Sequence, residues 1–213
     1  MHLARTALLA GLLAALASFN QGPAAAGEQA DADAGFAKRF FADSVSGPKA
    51  YACFARRYDA EHLAQHPLQK VSVMKLLITA EKVPDDTYLQ YSFRLGVNFR
   101  NRPGDFDSSG DCGHAPSVRN VDTGAAPAAG IDFQCDVDCD GGGISVNLAN
   151  ADSAVLVRLD RIRIWRGKNP DETAESSLQG GADDKIFRLD RTSLDECRSL
   201  VADRKELAAM RHK

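Results

Sequence analysis

Leu89-Gln90-Tyr91-Ser92-Phe93-Arg94-Leu95-Gly96-Val97-Asn98-Phe99-Arg100 alternates apolar and polar side chains without a break. Successive side chains of a strand point to opposite faces, so the pattern predicts a β-strand with one face on a core and the other in water. At ~3.3 Å per residue the stretch spans about 40 Å, long for a strand, and Gly96 is the expected place for a bend. Its unpaired backbone groups demand neighbouring strands.

The neighbours are readable in both directions. Val71 to Lys82 is β-branched and Leu-rich, and Val83-Pro84-Asp85-Asp86 reads as the connecting turn. Ile131, Phe133, Cys135, Val137 and Cys139 alternate with polar residues, Gly141-Gly142-Gly143 follows, and Ile144, Val146 and Leu148 resume the alternation, which predicts a hairpin. Ala154 to Trp165 is a further strand whose apolar phase slips at Asp160-Arg161, the mark of a β-bulge. Lys185 to Asp190 reads as a short strand. Asn101 to Gly130 and Gly167 to Asp184 read as loops.

Helices are expected at the two ends. Phe36, Phe40 and Phe41 suggest a short amphipathic helix. Ser46-Gly47-Pro48 resembles a helix start, Tyr51, Phe54, Ala55, Tyr58 and Leu63 follow at helical spacing, and His66-Pro67 ends the run. Ser193-Leu194-Asp195-Glu196 has the form of a capping box, with Cys197, Leu200, Val201, Leu207 and Met210 on one stripe behind it. The expected fold class is α+β and β-rich: a curved or barrel-like antiparallel sheet of about six strands, flanked by an N-terminal and a C-terminal helix.

The N-terminus has the three parts of a secretion signal. Arg5 is the positive region, Ala7 to Phe19 the apolar region, and Ala24-Ala25-Ala26 the small-residue cleavage site. The apolar run is too short to span a bilayer, and no later segment is long enough. The expected organisation is a signal peptide at 1–26, a disordered leader at 27–35, and one β-rich domain at 36–213, periplasmic or secreted. Cleavage removes one Arg and no acid, so the net charge of −3 for the whole chain becomes −4. A mildly acidic domain argues against nucleic acid as a partner.

The five cysteines are Cys53, Cys112, Cys135, Cys139 and Cys197. Export makes disulfides the first reading, and an odd number leaves at least one thiol over. If Cys135 and Cys139 share one strand, their Cα atoms lie ~13 Å apart, too far to pair. Cys112 is then expected to pair with one of them, and Cys53 with Cys197, each on a helix.

Three stretches, AYACFARRYDAEHLAQHP (50–67), FDSSGDCGHA (106–115) and DCDGGGISV (138–146), carry a resemblance to an uncharacterised family of exported bacterial proteins. It extends from Tyr51 to about Val201. The resemblance implies export and brings no activity with it.

Three constellations could carry chemistry. Asp105, Asp107 and Asp111, and likewise Asp136, Asp138 and Asp140, lie in stretches that open like a calcium loop, D-x-D-x-[DS]-G. Both lack the closing acid, with Pro116 and Asn147 at the twelfth position, and the second set fits a solvated strand face paired with Arg158, Arg161 or Arg163. Calcium is expected, if anywhere, at Asp105 to Asp111. Cys112, His114, Cys135 and Cys139 could instead surround zinc, at a spacing unlike a standard finger. His62 and His66, at i and i+4, could share a metal, but Leu63 stands where a hydrolytic zinc helix has Glu, so surface histidines are the simpler reading. Nucleophilic catalysis finds no G-x-S-x-G, and Gly141 to Gly143 leads into a strand rather than the helix a phosphate cradle needs.

The sequence therefore predicts a non-enzymatic binding or envelope-associated domain. It would engage an unidentified protein or small-molecule ligand through its sheet face or the Asn101–Gly130 segment. The competing expectation is a metal-dependent protein: calcium-stabilised, or an enzyme built on His62, His66 and His114.

Overall fold

The alternating stretch forms a strand from Leu89 to Phe99, the third of nine among the described residues. The structure is a computed structural model that describes residues 35, 37–41, 47–84, 89–114, 132–167 and 176–211. In chain order the strands are β1 (Lys49–Arg57), β2 (Val71–Lys82), β3 (Leu89–Phe99), β4 (Phe106–His114), β5 (Asp132–Asp136), β6 (Gly142–Ala149), β7 (Ala154–Arg166), β8 (Ser176–Gln179) and β9 (Ile186–Thr192). Residues 37–41 are helical and are called α1. Three more short helices follow: α2 (Ala60–Gln65), α3 (Leu194–Cys197) and α4 (Arg204–Met210), with a 3₁₀ turn at Arg198–Leu200 between the last two. The signal peptide expected at 1–26, the leader at 27–35 apart from Gly35, Phe36 and residues 115–131 lie outside the described residues.

All pairings are antiparallel, in the order β6-β5-β4-β3-β2-β1-β9-β7-β8. The order also folds back on itself, because β7, the last strand but one, pairs with β6 at the opposite end and with β4, which leaves β8 outside the closure. The expectation of about six strands is corrected to nine, and the sheet is not a clear barrel. β4 reaches β7 directly at Phe106↔Arg166 and Asp107↔Trp165, past the β5–β6 hairpin.

The three unforeseen strands are β1, β4 and β8, and each hides for a physical reason. Ala50 to Phe54 of β1 are all buried, so both faces of the strand are covered and period two disappears. The spacing of Tyr51, Phe54 and Tyr58 then imitates a helix, and only Ala60–Gln65 is helical. β4 reads FDSSGDCGH, poor strand material by propensity, yet it is held between β3 and β5. β8 is a four-residue strand inside an expected loop.

The core lies on the inner face of the sheet. Phe54, Phe93, Phe106, Phe133, Phe187, Leu76, Ile78 and Leu95 are essentially fully buried in it. Helix α1 plugs this core with Phe40, whose ring lies 5.4 Å from Phe54 and 5.7 Å from Phe133. It is tied down by Arg191, which donates to the Phe40 carbonyl at 2.8 Å, and by the Arg39–Asp152 pair at 2.7 Å.

The outer face of β1 and β2 carries a second, smaller core. Tyr51, Cys53 and Leu77 are covered there by Cys197, Leu200, Val201 and Met210. The single C-terminal helix expected from the stripe is broken at Val201, which is extended (φ −104°, ψ 124°). Ser193 makes no side-chain cap, so the capping box does not form; Asp203 caps α4 instead, accepting from the N–H groups of Lys205 and Glu206. The break lets Leu200 settle over Gly96, where any side chain would meet its methyl group. Register is regular through Gly96, so the glycine admits a neighbour rather than bending the strand; the β2–β3 irregularity lies between Val71 and Val73.

Two local features shape β5 to β7. Gly142 pairs with Ile162 and Ile144 with Leu159, so one residue of β6 faces Asp160 and Arg161 together, a bulge at the expected place. The β5–β6 turn begins at Val137, and Cys139 and Asp140 both adopt left-handed backbone (φ 56° and 59°). Gly142 is left-handed as well (φ 72°), and a Cβ there would overlap the Arg161 carbonyl.

Cys53 on β1 and Cys197 on α3 lie at disulfide distance, with Cα atoms 5.9 Å apart, closing a loop of 144 residues in sequence. Cys112 and Cys135 are directly opposed on β4 and β5 and also lie at disulfide distance, 23 residues apart in sequence. Two assumptions behind the expected pairing are corrected: Cys53 sits on a strand rather than a helix, and β5 ends at Asp136, so Cys139 belongs to a turn. Cys139 is the exposed free thiol.

Loop-closure entropy puts the long crosslink near ~5 kcal/mol and the short one near ~3 kcal/mol. Thermal melts should therefore rank Cys53→Ala/Cys197→Ala as the costlier double variant, by roughly 4 to 8 °C; equal or reversed losses would contradict the second core. Gly142→Ala should cost at least ~2 kcal/mol in urea unfolding. Gly113→Ala, with nothing within 4 Å of the added methyl, should be close to neutral; similar costs at both positions would refute the assignment of the turn.

Candidate functional site

The acidic residues singled out in the sequence do not share a loop. Asp107 and Asp111 lie on β4, facing the same side but about 13 Å apart along an extended strand. Asp105, just before the strand, accepts from the Asn98 amide at 2.6 Å. Asp111 is directly opposite Asp136 on β5, while Asp138 and Asp140 belong to the exposed turn beyond it. The loop expected at Asp105 to Asp111 is thus corrected to a strand from Phe106 onward, with Asp107 and Asp111 at different places along it. The expected solvated face survives only at Asp136. Arg161 donates to the Asp140 carbonyl, not to a carboxylate.

The cysteines follow the disulfide reading rather than the zinc alternative. Cys112 and Cys135 are taken by each other, and Cys139 stands apart on the turn. His114 is the last residue of β4, opposite Phe133. His62 and His66 do come together, with ring centroids 4.3 Å apart, because Asp59 caps α2 and starts its turn by accepting from the His62 N–H. Their ring nitrogens are engaged elsewhere: His62 Nε2 lies 3.0 Å from Gln69 Oε1, and His66 Nδ1 lies 3.9 Å from Asp183. Among the described residues no group of three or more His, Cys, Asp or Glu is placed to hold a metal ion.

What the fold assembles instead is a cleft of about 630 Å³ at one end of the sheet. One wall is Pro67 to Lys70, leading into β2, and another is Phe99 to Arg102, leading out of β3. Ser177, Leu178 and Gln179 of β8 form the third. The lining contains three cations, Lys70, Arg100 and Arg102, and no carboxylate. That is a local reversal in a chain whose net charge is −3.

Each wall has a reason to be where it is. Asp183 accepts from the Leu68 N–H at 2.9 Å, and the wholly buried Asp184 accepts from Lys70 N–H at 2.7 Å. These acids hold the backbone of the first wall in place. Arg100 spends one guanidinium nitrogen on the carbonyls of Leu63, His66 and Gln69, at 3.2 to 3.4 Å, so it is largely a tie between the walls. Arg102 stacks over the Phe106 ring at 4.0 Å and donates to Ser176 Oγ at 3.2 Å. A stacked guanidinium keeps further donors for a ligand. Lys70 is exposed beside it, and Leu68 is 63% exposed, the most open large apolar side chain of the domain's described part.

Smaller cavities line the C-terminal segment. One of about 200 Å³ is walled by Arg94, Asp107, Trp165 and Glu206. The Arg94–Glu206 pair there is two-pronged, at 2.9 and 3.0 Å, and Glu206 keeps only 10% of its side-chain exposure. Burial, and then the Glu206 carboxylate, push the Tyr51 phenol up to about 12. The Arg94–Glu206 pair fastens α4 to the sheet. No helix among the described residues is long and apolar enough to cross a membrane. Comparison with protein-family models, with curated proteins and with solved structures finds no match for this chain.

Proposed function

We propose that this chain is an exported, non-enzymatic binding protein whose ligand site is the cleft between Pro67–Lys70, Phe99–Arg102 and β8. The observation that carries the reading is the lining: three cations, an open Leu68 and no carboxylate. A ligand that pairs an anionic group with an apolar surface would satisfy both halves. Coulomb attraction to Lys70 and Arg102 would orient it, and Leu68 and Phe99 would shelter its apolar part. Export is supported by the N-terminal signal pattern, by two cysteine pairs at disulfide distance, and by the resemblance to exported bacterial proteins. Catalysis has less to stand on, because the perturbed groups Tyr51 and Tyr58 owe their raised values to burial in structural positions.

The anionic, apolar dye 8-anilinonaphthalene-1-sulfonate tests the site directly. Saturable fluorescence is expected with the folded protein. Leu68→Asp/Lys70→Glu should weaken it about tenfold, roughly 1.4 kcal/mol, with near-ultraviolet circular dichroism unchanged. Dye binding that ignores the double variant would end the assignment.

A further inference from the structure

We infer that the ligand class of this cleft is an extended acidic peptide, which docks by adding a strand to the open edge of β8. The inference rests on the cleft being the binding site, and deepens it by naming what binds.

β8 is the last strand in the sheet order, paired with β7 on one side and with no strand on the other among the described residues. The direction of its backbone groups follows from one bond. Gly180 N–H donates to the Asp160 carbonyl, so Gly180 and Asp160 form a hydrogen-bonded antiparallel pair. Such pairs alternate along a ladder. In the observed register, Leu178↔Ile162 and Ser176↔Ile164 are therefore also hydrogen-bonded, while Gln179↔Arg161 and Ser177↔Arg163 are not. The N–H and C=O groups of Ser177 and Gln179 consequently point away from β7. Both residues line the cleft.

The side chains agree with this geometry. Leu178 is 2% exposed and anchors β8 to the core, while Ser177 and Gln179 are exposed and small or flexible enough to admit a neighbouring backbone. A four-residue edge offers ~13 Å of template, enough for a short extended segment. Strand addition takes its affinity from main-chain hydrogen bonds and its specificity from pockets for alternate side chains. Here the flanking side chains are Lys70 and Arg102, with Leu68 beside them. Glutamates alternating with aliphatic residues match that surface. A basic segment would meet three cations in the lining.

Fluorescence polarisation with a labelled acetyl-Glu-Val-Glu-Val-Glu-Val amide gives the test. Saturable binding is expected, at least tenfold tighter than for the Lys-Val counterpart. N-methylation of every residue of the peptide, which removes its donors and keeps its side chains, should abolish binding. Ser177→Pro should weaken binding several-fold, because it removes an outward N–H that β7 does not use. Equal binding of the N-methylated peptide would overturn strand addition while leaving the cleft assignment standing. Equal binding of the Lys-Val peptide would overturn the acidic specificity. If neither acidic peptide nor dye responds to Lys70→Glu, the cleft assignment fails along with the inference.

Discussion

Everything in this domain hangs on β7 finding partners for its backbone. It is 13 residues long and pairs, over different stretches, with β4, β6, β8 and β9. An extended chain in a folded interior must satisfy every N–H and C=O, and an open edge is a template for unwanted association. β7 meets that demand by pairing back with β6, the strand at the opposite end of the order, and with β4. The bulge at Asp160-Arg161 lets it do so, because one extra residue re-aims the strand between its pairing with β6 and its later contact with β4. Among the described residues β8 is the terminal strand of the order.

Covering the outer face is a separate problem. β1 and β2 present Tyr51, Cys53 and Leu77 outward, and a sheet apolar on both faces cannot stop at one layer. The C-terminal segment covers that face with short pieces rather than one helix: α3 brings Cys197 to Cys53, the extended Val201 lies down flat, and α4 is clamped by Arg94 to Glu206. Gly96 belongs to the same arrangement, since Leu200 occupies the space a side chain would need. The crosslink and the ion pair bracket the segment and fasten the cover to the sheet.

The legible parts of the sequence were those with one covered face. β2 and β3 begin and end where alternation and turn residues place them, and the bulge in β7 shows as a slip of phase. Burial on both faces erases that signal: β1 has five consecutive buried residues and reads as a helix. β4 fails for the opposite reason, as its Asp, Ser and Gly residues form a strand only because β3 and β5 flank them. The cysteine set pointed to the crosslinks through compartment and parity, although the strand argument used to choose among them assumed a β5 longer than it is. The cleft left no trace. Lys70, Arg100 and Arg102 lie thirty residues apart in two unremarkable turns, and β8 is too short to announce itself. Proximity created by register has no local signature, whereas the D-x-D-x-S-G pattern had a local signature and belongs largely to a strand.

Cations near a strand edge have another common use, which is to keep that edge from pairing with other chains. The distribution of charge argues against it here. Protective charges sit on the edge strand itself, where any incoming strand must desolvate them, but β8 reads Ser-Ser-Leu-Gln and carries none. Lys70 and Arg102 stand on the facing walls of the cleft rather than on β8 itself. Arg102 is further held in place by Phe106 and by Ser176, the first residue of β8. A guard would gain nothing from such positioning, while a receptor gains a fixed donor beside its template.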